Sequence, residues 1–121
     1  MERMNLPHDH GQEALHIIEH TPTREDFQLV AEQFQQLSDG SRMKIFWILC
    51  HCEECVINLS AMMEMSSPAV AHHLKLLKAA RLVTSRRAGK EVYYRAADTP
   101  QASMLHNMIE GMMVITCPTG R

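Results

Sequence analysis

Aromatic side chains are scarce in this chain. There are six in 121 residues, against ten methionines. Aliphatic and thioether packing must therefore build the core or an interface. Long apolar runs are missing as well, and the first residues are polar. Neither a secretory signal nor a membrane span is expected, and the default location is the cytoplasm. Thiols stay reduced there, so the four cysteines point to a metal site or a reactive thiol rather than to two disulfides. No internal repeat or low-complexity tract is visible. Nor is there an overall excess of positive charge: the net charge is −2, which alone argues against a nucleic-acid binder.

What is present changes that last expectation. The length suits one domain, and an apolar share of 45% is enough to bury a core. Folding at this size hides roughly two-thirds of the unfolded surface. The positive charge is concentrated. Residues 72–95 hold Lys75, Lys78, Arg81, Arg86, Arg87, Lys90 and Arg95 against only Glu91, which is seven of the twelve basic residues. A local basic patch can drive phosphate binding even on a weakly acidic protein.

Periodicity orders the chain. Residues 1–11, with His8, Asp9 and His10, read as a mobile arm, and 12–121 as one domain. Ala14, Leu15, Ile17 and Ile18 suit a short helix. Thr23 can cap the next, with Glu25 and Asp26 in its positive first turn. Phe27, Val30, Ala31, Phe34 and Leu37 continue at amphipathic spacing. Ser41 can cap a third helix, apolar on most sides and so expected to be central, which the cysteines end. Leu59, Met62 and Met63 mark a short helix. "MSSP" is a turn in which Ser66 or Ser67 caps and Pro68 suits the first helical position. On the following helix Val70, Leu74, Leu77 and Arg81 share one face, and Pro68, His72 and Lys75 the opposite one. Leu82–Ser85 and Glu91–Arg95 then read as a two-stranded hairpin around "RAGK". A helix from about Thr99 to Ile115 closes the chain with a broad methionine-rich stripe.

The expected fold class is mainly α with a small β-hairpin, a winged helix-turn-helix. A recognition helix needs short donors and cations on its outer face to reach base edges in the major groove. Ser66, Ser67, His72 and Lys75 fit. His73, at the edge of the buried face, could do either job. Arg86, Arg87 and Lys90 at the wing tip could grip phosphate or probe a minor groove. A merely solvated charged face is the plainer alternative for any one helix. Helix-turn-helix, polar face and basic wing in this order favour double-stranded DNA as partner.

The segments "LSDGSRMKIFWILC", "SSPAVAHHLKLLKAARLV" and "RRAGKEVYYRA" resemble the ArsR/SmtB family of bacterial winged-helix repressors, over about residues 29–115. The resemblance implies a homodimer built through the first and last helices. It also implies a repressor that leaves operator DNA when an inducer, often a metal ion, binds. The exposed methionine stripe expected on the last helix agrees with a dimer.

"CHCEECV" brings Cys50, Cys52 and Cys55 within six positions, around His51. Soft thiolates select zinc, cadmium, lead, copper(I) or arsenite-like ions, and three or four close a site. Cys117, just past the last helix, could complete the set. Glu53 and Glu54 place negative charge beside the thiols, which raises a thiol pKa and favours a bound cation. Some members of the resembled family bind metal through a "CxC" or a lone Cys at the start of the first helix of the helix-turn-helix. Cys55 matches the first cysteine, and Ile57 stands at the second. Other members use the last helix. Asp98 matches the aspartate there, but Pro100 replaces the first histidine, Glu110 stands near a second, and Val114 takes the last. His106 and Glu110, at i, i+4, could still chelate, as could His16 and His20. Thiol redox sensing, structural zinc and inert thiols remain alternatives, as does a regulator that needs no ligand. An enzyme using Cys52 or Cys55 with His51 is the remaining class. No motif pairs a nucleophile with an oriented base, so no catalytic site is expected.

Overall fold

A computed structural model describes residues 5–8, 10–11 and 13–117. Part of the expected arm, residues 1–4 and Asp9, lies outside the described residues, as do Gln12 and the tail from Pro118. The chain forms two compact units, residues 1–31 and 32–121. The first holds α1 (Glu13–Glu19) and the opening turns of α2 (Arg24–Gln36). Thr23 caps α2 as its sequence promises. The Thr23 hydroxyl accepts from the Asp26 N–H at 3.1 Å, and the Asp26 carboxylate accepts from the Thr23 N–H at 3.0 Å. That reciprocal pair satisfies two donors the helix cannot.

The second unit is built around α3 (Gly40–His51), whose Ile45, Phe46, Ile48 and Leu49 are buried. The expected central helix is thus observed. Its cap is Asp39, not Ser41. Asp39 has the extended backbone a cap requires, and its carboxylate accepts from the Arg42 N–H at 2.9 Å. That bond is the main reason the Asp39 carboxyl titrates below the ordinary range. Ser41 lies inside the first turn.

α4 (Val56–Met63) and α5 (Ser67–Ala79) form the helix-turn-helix. Leu59, Val70, Leu74 and Leu77 pack against α3 in one core. Ser66 caps α5 by accepting from the Ala69 N–H at 3.3 Å. Arg81 does not share the buried face of α5. The helix ends at Ala79, and Arg81 is exposed with φ +63. The reversal lets the Leu82 N–H reach the Leu77 carbonyl at 2.9 Å and turns Leu82 and Val83 into the core.

The wing is β2 (Val83–Ala88) and β3 (Glu91–Ala96), paired antiparallel from Val83↔Ala96 to Ala88↔Glu91. Its two-residue loop is Gly89–Lys90. Gly89 has φ +65, the sign a type II′ hairpin turn demands at its first position. A third strand was not legible: β1 (Glu54–Cys55) pairs Glu54↔Tyr94 and Cys55↔Tyr93, giving the order β1-β3-β2. Two residues are too few for any period to show. Last comes α6 (Pro100–Thr116), capped by the Thr99 hydroxyl, which accepts from the Ala102 N–H at 3.2 Å. Ala102, Leu105 and Ile109 are buried, and Met104, Met108, Met112 and Met113 are exposed. Among the described residues no helix is long and apolar enough to cross a membrane.

Candidate nucleic-acid interface and ligand cluster

The outer face of α5 carries the expected polar set, but its members differ in what they already do. His72 and Lys75 are exposed. Ser67 is exposed at the helix start, its hydroxyl 3.0 Å from that of Ser60. Ser66 spends its oxygen on the cap. His73 is half-buried, and its Nδ1 accepts from Arg42 Nε at 3.2 Å. Burial first, then the Arg42 charge, hold its pKa below the ordinary 6.5. The bond from Arg42 fastens α5 to α3. Lys78 Nζ donates to Ser85 Oγ at 2.7 Å, tying the recognition helix to the wing.

On the wing, Arg86 is gripped at two points. Its Nε donates to Glu53 Oε2 at 2.9 Å and its Nη2 to Glu53 Oε1 at 2.6 Å. The guanidinium also sits 5.1 Å from the Tyr93 ring centroid. The pairing holds the Glu53 carboxyl below its usual range and raises Arg86 above its own. Arg86 is exposed and Glu53 half-buried, so this pair orders the wing more than it stabilises the fold. Arg87 and Lys90 project from the tip, exposed.

The four cysteines are free thiols: Cys50 half-buried, Cys55 buried, Cys52 and Cys117 exposed. Cys50 and Cys52 line a cleft of about 420 Å³ with Asp98, Ser103 and His106. Cys117 lines a different groove of about 410 Å³, apolar, with Leu105, Met108 and Met112. Burial, then the Glu110 charge, push the Cys50 thiol up to about 11. The adjacent glutamates are not the cause: Glu53 is paired with Arg86, and Glu54 accepts from the Cys55 N–H at 3.0 Å and the Asn58 amide at 2.9 Å.

Within this unit, and among the described residues, the ligating side chains that converge in a group of three are His51, His106 and Glu110. His51 Nε2 and His106 Nε2 lie 3.1 Å apart, and they stand 3.4 and 3.2 Å from Glu110 Oε1. Trp47 Nε1 donates to the same oxygen at 3.1 Å. The spacing of His106 and Glu110 was visible in the sequence. The part of His51 was not, since 55 residues separate it from His106 and only packing of α3 on α6 joins them. In the first unit, His16 and His20 sit side by side with ring centroids 4.3 Å apart, and His20 Nδ1 lies 2.8 Å from the His16 carbonyl.

Residues 39–85 match the family model described as bacterial regulatory protein, arsR family. A transcriptional repressor SmtB homolog from Synechocystis is 45% identical over 71 residues, which is 59% of this chain and 54% of the relative. A cadmium resistance transcriptional regulatory protein CadC homolog from Staphylococcus aureus is 40% identical over 70 residues, covering 57% of this chain and 58% of the relative. The chain thus spans a little over half the length of these relatives. A homodimeric winged helix-turn-helix DNA-binding domain from Mycobacterium bovis superposes with a TM-score of 0.66 at 26% identity, over 76% of this chain and 86% of that one.

Proposed function

We propose, from the match of residues 39–85 to the arsR-family model, that the chain is a homodimeric, DNA-binding transcriptional repressor released by a metal ion. The observation that carries DNA binding is the exposed face made by α5 and the wing tip. Ser67, His72, Lys75, Arg87 and Lys90 are all exposed; on this reading the first three meet base edges and the last two hold phosphate. Ser66, His73 and Arg86 serve this face by positioning it, through the cap, the Arg42 bond and the Glu53 pair. The exposed methionines of α6 and the homodimeric state of the Mycobacterium bovis domain support a dimer. A metal inducer is supported by the relative named for cadmium resistance. The family's members are regulators, which favours a binding role over catalysis. A redox switch through Cys50 is disfavoured, since a thiol held at about 11 stays protonated near neutrality.

Fluorescence anisotropy of the reduced protein on the DNA upstream of its own gene tests this. Zinc, cadmium and arsenite are titrated at fixed salt, because phosphate contacts make affinity steeply salt-dependent. Metal should release the DNA. The Arg87→Ala/Lys90→Ala variant should bind more weakly on every sequence, and its salt slope should be shallower by about 1 for each phosphate no longer neutralised. An unchanged slope in that variant would mean the wing tip does not touch the backbone.

A further inference from the structure

His51 closes α3, with Trp47 one turn before it, and His106 and Glu110 lie one turn apart on α6. Burial of Ile48 and Leu49 from one helix, and of Leu105 and Ile109 from the other, sets both against the same core. The three polar side chains therefore meet at its solvent edge. Their donor atoms are 3.1, 3.2 and 3.4 Å apart. Nitrogen and oxygen ligands held about 2.0–2.1 Å from a tetrahedral ion lie about 3.3 Å from one another. The three atoms thus already stand near three corners of such a site. The His51 and Glu110 side chains are 45% exposed, so water can reach the fourth corner. The surroundings also suit a ligand set. Trp47 donates to Glu110 Oε1, and its ring lies 4.2 Å from that of His51, so one indole orients two of the three groups.

We propose that His51, His106 and Glu110 form a binding site for a borderline divalent cation of the zinc, cobalt(II) or nickel(II) kind. Two imidazoles and a carboxylate suit such ions better than a purely thiophilic one. The site is neither of those the resemblance suggests. It does not use Asp98, Pro100 or Val114; Glu110 stands near one histidine position of the last-helix pattern, but His51 comes from α3, and no cysteine is needed, although the Glu110 charge acts on the Cys50 thiol. A bound ion staples α6 to α3, and α3 holds the recognition helix through Arg42 and His73. That last, regulatory consequence rests on the repressor function proposed above. Ion binding does not.

The test is a cobalt(II) titration of the full reduced chain, following visible absorption and the emission of Trp47, the only tryptophan. One equivalent per chain should quench Trp47 and give ligand-field bands without the near-ultraviolet thiolate charge-transfer band. Glu110→Gln and His106→Gln, checked for folding by circular dichroism, should each weaken cobalt binding at least about tenfold. Cys52→Ser/Cys117→Ser and, separately, Cys50→Ser should leave the quench unchanged. Unaltered affinity in both ligand variants, or a thiolate band that disappears with a cysteine, overturns the site. Anisotropy on the upstream DNA in the same solutions separates the two proposals. Cobalt bound here with DNA affinity unmoved keeps the site and removes its regulatory role. Cadmium-driven release without any cobalt quench overturns the site and leaves the repressor.

Discussion

His73 sits at the boundary between the buried and exposed faces of α5. It lies on the recognition helix beside the exposed His72, yet its ring accepts from Arg42 and is half-buried. Burial and the Arg42 and His72 charges lower its pKa, and Asp39 only partly offsets them. The unfolded chain therefore binds the proton more readily than the folded one. Stability is complete above the ordinary value of 6.5 and is lost as pH falls through the lowered folded value. Urea midpoints measured from about pH 8 down to about pH 5.5 should fall for the native chain and fall less for His73→Gln. Parallel curves would place the pH dependence on other histidines.

At the scale of elements, the chain leaves both helices of the helix-turn-helix through a non-glycine residue in the left-handed region, Glu64 with φ +54 and Arg81 with φ +63. Each end is closed by a backbone bond that reaches back across the turn. The Met65 N–H meets the Ser60 carbonyl at 3.0 Å, and the Leu82 N–H meets the Leu77 carbonyl at 2.9 Å. A side chain in that region costs about 1–2 kcal/mol, whereas glycine is unstrained but loses roughly 0.5–1 kcal/mol more backbone entropy on folding. Glu64→Gly should therefore stabilise the chain by about 0.5 kcal/mol, read as a raised urea midpoint at unchanged slope. A lowered midpoint would mean that the Glu64 side chain contributes more than its strain. The wing is likewise held from outside itself. The β1 pairing and the Glu53–Arg86 grip tie the cysteine segment to the hairpin.

For the whole molecule, the surface that calls for cover is on α6. Met104, Met108 and Met112 are 65%, 44% and 59% exposed on a helix whose other side is core. The proposed dimer buries this stripe. Met108→Asp/Met112→Asp should weaken dimerisation by about 3 kcal/mol, on the order of 100-fold in Kd. Sedimentation at micromolar concentration should then show monomer, with circular dichroism unchanged because Leu105 and Ile109 keep the inner face. A variant that stays dimeric would move the interface elsewhere.

Local patterns of residues were enough to establish the winged helix-turn-helix. Leu59, Val70, Leu74 and Leu77 repeat at helical spacing, Ser66 and Pro68 punctuate a helix start, and a glycine sits where a hairpin must turn. These signals are short-range, and backbone geometry alone reads them. The outward faces of α5 and α6 followed from the same periods. What the chain could not show locally was pairing across distance. β1 is two residues long, Arg86 meets Glu53 across 33 residues, and His51 meets His106 across 55. The conspicuous cysteines drew attention because they are close in sequence. Yet a helix end and a strand send Cys50 and Cys55 into different environments, and Cys117 lines another groove. His51, His106 and Glu110 converge where the end of α3 packs on the middle of α6, so only the meeting of those helices decided which side chains share one point in space.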